Sequence, residues 1–323
     1  MMRSLYSGIS GLRNHQTRMD VIGNNIANVN TIGFKASRTI FQDVFSQTVQ
    51  MGSANQSADW GSGGTNPIQI GLGVRLATID VLHGPAPMQR TDRALDMMIN
   101  DDGYFVVGMP SELHDAPFNP EADDGVLRFN YLFTRAGDFR LDNDGFLVTS
   151  TGYYVLGFKM LAYAVDDEGE PADTPMTEDE LAAWTGRINW VPDKYDPQGP
   201  MAVKVDDNQV GIAVDSDGVV SIIQENRRLP IFQLAISMFA NNEGLERTGN
   251  SLYRQGTSSG EAQIGVAGDN GSGSVSSGGL EMSNVDLASE FTDMIVTQRG
   301  FQANSRIITV SDTMLEELVN LKR

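Results

Sequence analysis

The sequence predicts an α+β fold: N- and C-terminal helices forming an α-helical coiled-coil domain, and a central mostly-β domain carrying a small inserted domain. Three observations lead there. Apolar residues recur every three or four positions at both ends of the chain, the helical period. Asp-Gly turns flanked by alternating or β-branched apolar residues recur in the middle, the signal of hairpins. The 323 residues include 34 glycines, which means many turns and therefore β structure. A chain of this length holds two or three domains.

The first helix carries Met2, Leu5, Ile9, Leu12, Met19, Ile22 and Ile26 at helical spacing. Leu5, Leu12, Met19 and Ile26 stand seven apart, but Gln16 and Gly23 interrupt the alternate positions, so the seam is incomplete on one chain. The pattern stops in a breaker cluster at residues 28–33, inside the stretch VIGNNIANVNTIGFK (21–35). Asn and Gly compete with helical hydrogen bonds and favour turns. The stretch therefore reads as a helix end joined to a connecting segment, with Phe34 anchored on apolar surface.

Three central stretches share one form: INDDGYFVV (99–107), RLDNDGFLVT (140–149) and AVDSDGVVSI (213–222). Each predicts a hairpin, because Asp-Gly supplies the positive φ of a tight turn. Residues 166–207 differ: they are acidic, hold five prolines and contain two of the three tryptophans, which suggests an inserted domain or long excursion. Residues 51–64 and 256–279 are low in complexity, the latter rich in Gly and Ser, and read as loops. The domains expected are thus 1–34 with 281–323 (helical), 35–159 with 208–280 (β-rich), and 160–207 (inserted).

The last helix opens at Ser283, a candidate N-cap with Asp286 three residues on. Leu287, Met294, Phe301, Ile308 and Leu315 then repeat every seven residues, and Phe291 and Leu318 widen the stripe. Gly300 is the one glycine of residues 281–323, and proline is missing from them. Such regularity suggests a coiled-coil helix; the plainer alternative is a long core helix packed on its own domain.

Net charge is −19. Residues 1–40 carry five Lys/Arg against one Asp, and residues 281–323 carry four against seven Asp/Glu, so the acidity sits in the middle. Binding of nucleic acid or anionic membrane needs the opposite field. The chain has no cysteine, which removes disulfides and thiolate ligands. The longest apolar stretch, 229–240, is far short of a bilayer span, and residues 1–20 lack the apolar run of a cleaved leader.

Catalytic and metal chemistry finds little support. An EF-hand loop aligned on Gly145 puts Arg140 at its first position and Thr151 at its last; one aligned on Gly218 puts Ala213 and Gln224 there. The fragment GLGV (71–74) lacks the rest of a phosphate loop and reads as a strand start with glycines at a bend. His15, His83 and His114 are scattered, outside zinc-ligand spacing. No nucleophile elbow stands in the chain. The expectation is no enzyme, no cofactor and no metal.

NNIANVNTIGFK resembles the signature of the bacterial flagellar rod and hook family, carried here by Ala27, Asn28, Thr31, Gly33 and Phe34. Residues 280–321 are similar to that family's C-terminal helix, and ALDMMINDDGYFVV and FTRAGDFRLDNDGFLVTSTGYYVLGF to its β domain. The resemblance is weakest over 160–207. It implies an axial subunit that passes through the flagellar type III export apparatus without a cleaved signal peptide and polymerises with copies of itself. The terminal helices would line a tube and the β domain would form its outer layer. The implied self-assembly residues are the apolar positions from Leu5 to Ile26 and from Leu287 to Leu318 named above. Within the family, the C-terminal run and the insertion are most similar to the hook branch, a flexible torque-transmitting tube. Its implied partners are the rod protein, the hook cap and the hook–filament junction proteins. The distal-rod branch is the alternative, and a secreted β-rich hydrolase or sugar-binding protein the reading from another class.

Overall fold

The structure, a computed structural model, describes residues 2–53, 64–110, 129–164, 188–192, 200–205, 211–224, 227–269 and 271–321. The fold is α+β, with a mostly-β central region. The chain forms two compact units. Met1–Val29, Ala36–Leu82 and Val285–Arg323 make a helical unit; Asn30–Lys35 and His83–Asn284 make a β unit.

In the helical unit, α1 (Met2–Ala27) lies against α2 (Leu287–Asn320). The strand Ser37–Asp43 returns beside α1 and pairs antiparallel with Val74–Val81, with a bulge between Ile40 and Phe41. A second ribbon, Ser46–Gln50 with Ile68–Gly71, presents every described side chain to solvent. The GLGV stretch ends that ribbon at Gly71 and starts the next strand at Val74, the strand start read from its glycines. The N-cap of α2 is Asp286, whose Oδ1 accepts from Ala288 N at 2.9 Å. Ser283 is not the cap: it is buried, and its neighbours are held in extended backbone by Met282 N to Pro87 O and Asn284 N to Phe34 O.

The β unit is built on an antiparallel sheet whose main path runs Ile212–Val214, Val219–Gln224, Arg227–Leu234, Tyr154–Ala164, Tyr104–Pro110, Phe129–Thr134, Leu252–Arg254, Glu246–Gly249. Its central strand explains the continuous apolar run YFVV. Phe105 and Val107 enter one core cluster, Tyr104 and Val106 the other, so both faces are covered and no polar alternation is needed. Val155 with Leu156, and Leu234 with Ala235, divide the same way. Two small ribbons, Met97–Ile99 with Val275–Ser277 and Met88–Arg90 with Gly279–Glu281, carry the chain toward α2.

Two of the three Asp-Gly stretches are hairpins: Phe139–Leu141 turns onto Leu147–Thr149, and Ile212–Val214 onto Val219–Gln224. Gly145 and Gly218 take the positive φ, and each amide returns to the carbonyl of the Asp three residues back at 3.0 Å. The third is not a hairpin. Met97–Ile99 and Tyr104–Pro110 pair with different partners, and Asp101–Gly103 hands the chain from one sheet to another. Tertiary contacts override the local turn there: Arg135 Nη2 donates to Asp101 O at 2.7 Å, and Gly273 N to Asp102 O at 2.9 Å.

The Gly/Ser-rich residues 256–279 also depart from the expected loop. Gln263–Gly265 and Val275–Ser277 are strands, with Val266 and Val275 buried. Backbone pairing needs no large side chain, so composition hides these strands. In 160–207, Ile188–Pro192 pairs with Met160–Ala164, Met201–Ala202 pairs with Leu156 and Gly157, and Val203 and Val205 enter the core. The remainder of the expected inserted domain, most of the loop 51–64, and His114 lie outside the described residues.

Phe105 is fully buried and stacks edge-on against Phe139 at 5.1 Å. Phe105→Ala is expected to cost the β unit about 3–5 kcal/mol, read as a lower midpoint of its transition in denaturant.

Candidate functional site: a helix pair and an anchored connecting segment

The pairing of α1 with α2 is antiparallel. Gly8 faces Ile308, Gly11 faces Asn304, and His15 faces Gly300. Arg18 Nη2 meets Asp293 Oδ2 at 3.0 Å, and Asn25 Nδ2 meets Glu290 Oε1 at 3.0 Å. Small and polar residues make much of the close contact, with Ile307 and Ile308 beside Gly8. Gly300 gives room to the His15 ring: a methyl group there would stand 2.7 Å from His15 Cε1. Likewise a methyl group on Gly11 would stand 2.5 Å from Asn304 Nδ2. Thr297 and Ser311 are the buried residues of α2. Burial holds His15 below the usual imidazole range, with Arg18 adding to the effect.

The larger apolar side chains of α2 point elsewhere. Leu287, Phe291, Phe301 and Leu318 are exposed, with Phe291 and Leu318 each 50% accessible, while Met294, Ile308 and Leu315 are half-buried. Ile295, Val296, Ile307, Val310, Met314 and Val319, outside the heptad count, are exposed too. On α1, Ile22 is buried, Leu5, Leu12, Met19 and Ile26 are half-buried, and Ile9 is exposed. So the heptad positions separate: Met294, Ile308 and Leu315 are half-buried, while Leu287 and Phe301, with Phe291 and Leu318 that widen the stripe, are solvent-facing apolar side chains.

At the end of α1, Asn28 Nδ2 donates to Asn24 O at 2.9 Å, occupying a carbonyl of the last turn. Ala27 and Thr31 are exposed. The residue missed in the sequence is Asn25. It is 1% accessible, accepts from Ser37 N at 3.0 Å and donates to Ser37 O at 2.9 Å, besides its bond to Glu290. One amide thus ties α1, the first strand and α2. The local signal was an Asn on the apolar face, one residue before Ile26.

Residues 30–35 are anchored within the β unit. Gly33 has φ +65°, and a side chain there would strike Ala136 N at 2.7 Å. Its amide donates to Glu281 O at 2.9 Å. Ser251 Oγ donates to Ile32 O at 3.2 Å. The Arg247 guanidinium lies over the Phe34 ring, 5.1 Å from its centre, and donates to Lys35 O. Phe34 is therefore half-buried beneath a cation.

Below it sits a buried charged cluster that sequence reading did not find. Lys35 and Glu281 have zero side-chain exposure, and Arg135 has 1%. Lys35 Nζ binds Glu281 Oε1 at 2.6 Å and Gly84 O at 2.7 Å. Arg135 Nη1 lies 3.5 Å from Glu281 Oε2, and Ala86 N donates to Oε1 at 3.2 Å. Desolvation pulls Lys35 below the usual lysine range, and Glu281 works against that. Lys35 ends the quoted signature, but nothing in the sequence says that its ammonium is enclosed.

His83 sits beside this cluster. It shares a 2.6 Å hydrogen bond between Nδ1 and Tyr104 Oη, and its buried Nε2 has no partner among the described residues. Burial, then the nearby Lys35, Arg247 and Arg135, push its pKa down to about 4. It is a neutral packing residue.

Comparison with known proteins follows the same three regions. Residues 5–35 match the family model "Flagella basal body rod protein", 123–222 "Flagellar hook protein FlgE/F/G D1 domain", and 276–321 "Flagellar basal body rod FlgEFG protein C-terminal". The chain belongs to the flagellar rod and hook family, whose members are structural and non-enzymatic. It is 44% identical to the flagellar basal-body rod protein FlgG of Bacillus subtilis (strain 168), over all of both chains. It is 32% identical to the flagellar hook protein FlgE of Borreliella burgdorferi, again over all of both, in an alignment of 462 positions. It is 31% identical to FlgG of Buchnera aphidicola subsp. Acyrthosiphon pisum, over 99% of this chain and all of that one.

Glu281→Ala leaves Lys35 and Arg135 as buried uncompensated charges and is expected to cost the β unit about 3–5 kcal/mol, measured by denaturant titration. His83 gives a second outcome. Its pKa is lowered by folding, so the unfolded chain takes up the proton first as pH falls. Its stabilisation is complete above pH 6.5, falls away below it, and is gone near pH 4, a loss of about 3 kcal/mol at most. His83→Phe should flatten stability against pH in that window; an unchanged slope would assign it to other groups.

Proposed function

We propose that this chain is a distal-rod subunit of the bacterial flagellum, exported through the type III apparatus and polymerising with copies of itself in the basal body. The hook reading, which the C-terminal run and the insertion suggested, has less support. The rod relative is the more similar, 44% against 32%, and aligns end to end over 325 positions. The hook relatives need alignments of 462 and 486 positions to cover the same chain.

The observation that carries self-assembly is the set of large apolar side chains that α2 leaves exposed, Leu287, Phe291, Phe301, Val310 and Leu318 among them. Glycines and polar residues supply much of the helix pair, which leaves these large side chains for neighbouring copies. A coiled-coil inner layer would form when α1 and α2 of successive subunits bring those surfaces together. Apolar burial then acts between chains, at about 25 cal/mol per Å².

Phe291→Glu combined with Leu318→Glu should leave the isolated subunit's melting temperature unchanged within about 2 °C, since both side chains are exposed. It should also abolish tubes in electron micrographs; tubes at wild-type concentration would sink the proposal. A deletion strain separates the branches: arrest with a truncated rod indicates a rod subunit, and complete rods lacking hooks indicate a hook subunit.

A further inference from the structure

Within the helical unit, α1, the first strand and the start of α2 enclose a cleft of about 200 Å³. Val21, Ile22 and Leu82 give it an apolar lining, and Arg18, Glu290 and Asp293 stand around it. The charges do not cancel evenly. Asp293 is paired with Arg18 at 3.0 Å, and Arg38, also at the cleft, is paired with Asp80 at 3.6 Å. Glu290 has no ion pair among the described residues; its Oε1 takes one hydrogen bond, from Asn25.

We propose that this cleft is a socket for an arginine of α2 from a second copy of the chain, Arg306, whose stem would lie on the apolar lining and whose guanidinium would pair with Glu290. The inference rests on the self-assembly proposed above and names one contact within it. An apolar lining with one uncompensated carboxylate fits a side chain that is apolar along its stem and cationic at its tip. Burial already raises the Glu290 pKa, with Asp293 and Asp286 adding to the rise and Asn25 and Arg18 opposing it. A cation delivered to the cleft would relieve that cost.

The second copy offers suitable groups. Arg299 and Arg306 are exposed on α2 and make no ion pair among the described residues. Arg299 is turned toward Gln302 of its own helix, at 3.3 Å, whereas the Arg306 guanidinium has no such bond among the described residues. Arg306 also stands one turn before the exposed apolar Val310, on the same side of α2. It cannot reach its own Glu290: sixteen helical residues place them about 24 Å apart along the same helix axis.

The test is a charge swap read as the critical concentration for tube formation, by sedimentation and electron microscopy. Glu290→Arg and Arg306→Glu are each expected to raise it at least tenfold, and the double variant to restore it to within about threefold of wild type. Arg299→Glu combined with Glu290→Arg should not rescue; rescue there instead would overturn the assignment of Arg306. Because Glu290→Arg also breaks the bond to Asn25, Ser289→Trp serves as the second variant: it fills the cleft from its rim and leaves that bond intact. It should raise the critical concentration similarly while circular dichroism of the subunit stays unchanged. A double swap no better than its singles, or a Ser289→Trp chain that assembles like wild type, overturns the socket while wild-type tubes still support the axial reading. If wild type forms no tubes, the axial reading fails and the socket with it.

Discussion

The β unit depends on one carboxylate. Glu281 lies at the end of the last small ribbon, fully enclosed, with Lys35 on one oxygen and Arg135 near the other. Its backbone carbonyl receives the amide of Gly33, and Oε1 receives that of Ala86. Gly33, Lys35, Ala86 and Arg135, distant in sequence, therefore converge on one residue. An enclosed ion pair adds little net stability over an apolar replacement, but removing one member strands the others. The physical effect is to specify where the connecting segment runs rather than merely to hold it. Arg247 stacked on Phe34, and Ser251 on the Ile32 carbonyl, complete the same anchorage.

The helical unit solves a different problem. A subunit that builds a polymer must keep its helices together without consuming the apolar surface that joins it to neighbours. Here the close approach is given to Gly8, Gly11 and Gly300, which meet Ile308, Asn304 and His15 of the facing helix. Phe291, Val310 and Leu318 are left facing outward. Asn25 then fixes the register at one end, because its amide serves Ser37 and Glu290 together. The acidic excess of the chain lies outside these terminal segments, which keeps like-charge repulsion away from the helical contact.

Much of this architecture was legible in the chain. The periodicity at both ends gave α1 and α2, and Asp-Gly gave the two hairpins at Gly145 and Gly218, because both signals are local. The turn at Gly103 misled because pairing of its flanking strands is decided by Val275 and Phe133, far away in sequence. The strands of the Gly/Ser-rich stretch were hidden because backbone hydrogen bonds leave no mark on composition. The N-cap slipped from Ser283 to Asp286 because the β unit holds Ser283 in extended backbone.

By itself the sequence determined the terminal helices, the β-rich middle, the joint at residues 28–34 and the family, since each rests on residues adjacent or periodic along the chain. Only the tertiary structure decided which face of each helix is spent on the pair and which is left over. A heptad count marks apolar positions but cannot say that glycine and asparagine make the closer contact. Only the tertiary structure, too, revealed Lys35, Arg135, Glu281 and His83 as one buried cluster. Their meaning depends on enclosure and on partners up to 246 residues apart, and neither is a property of any short stretch.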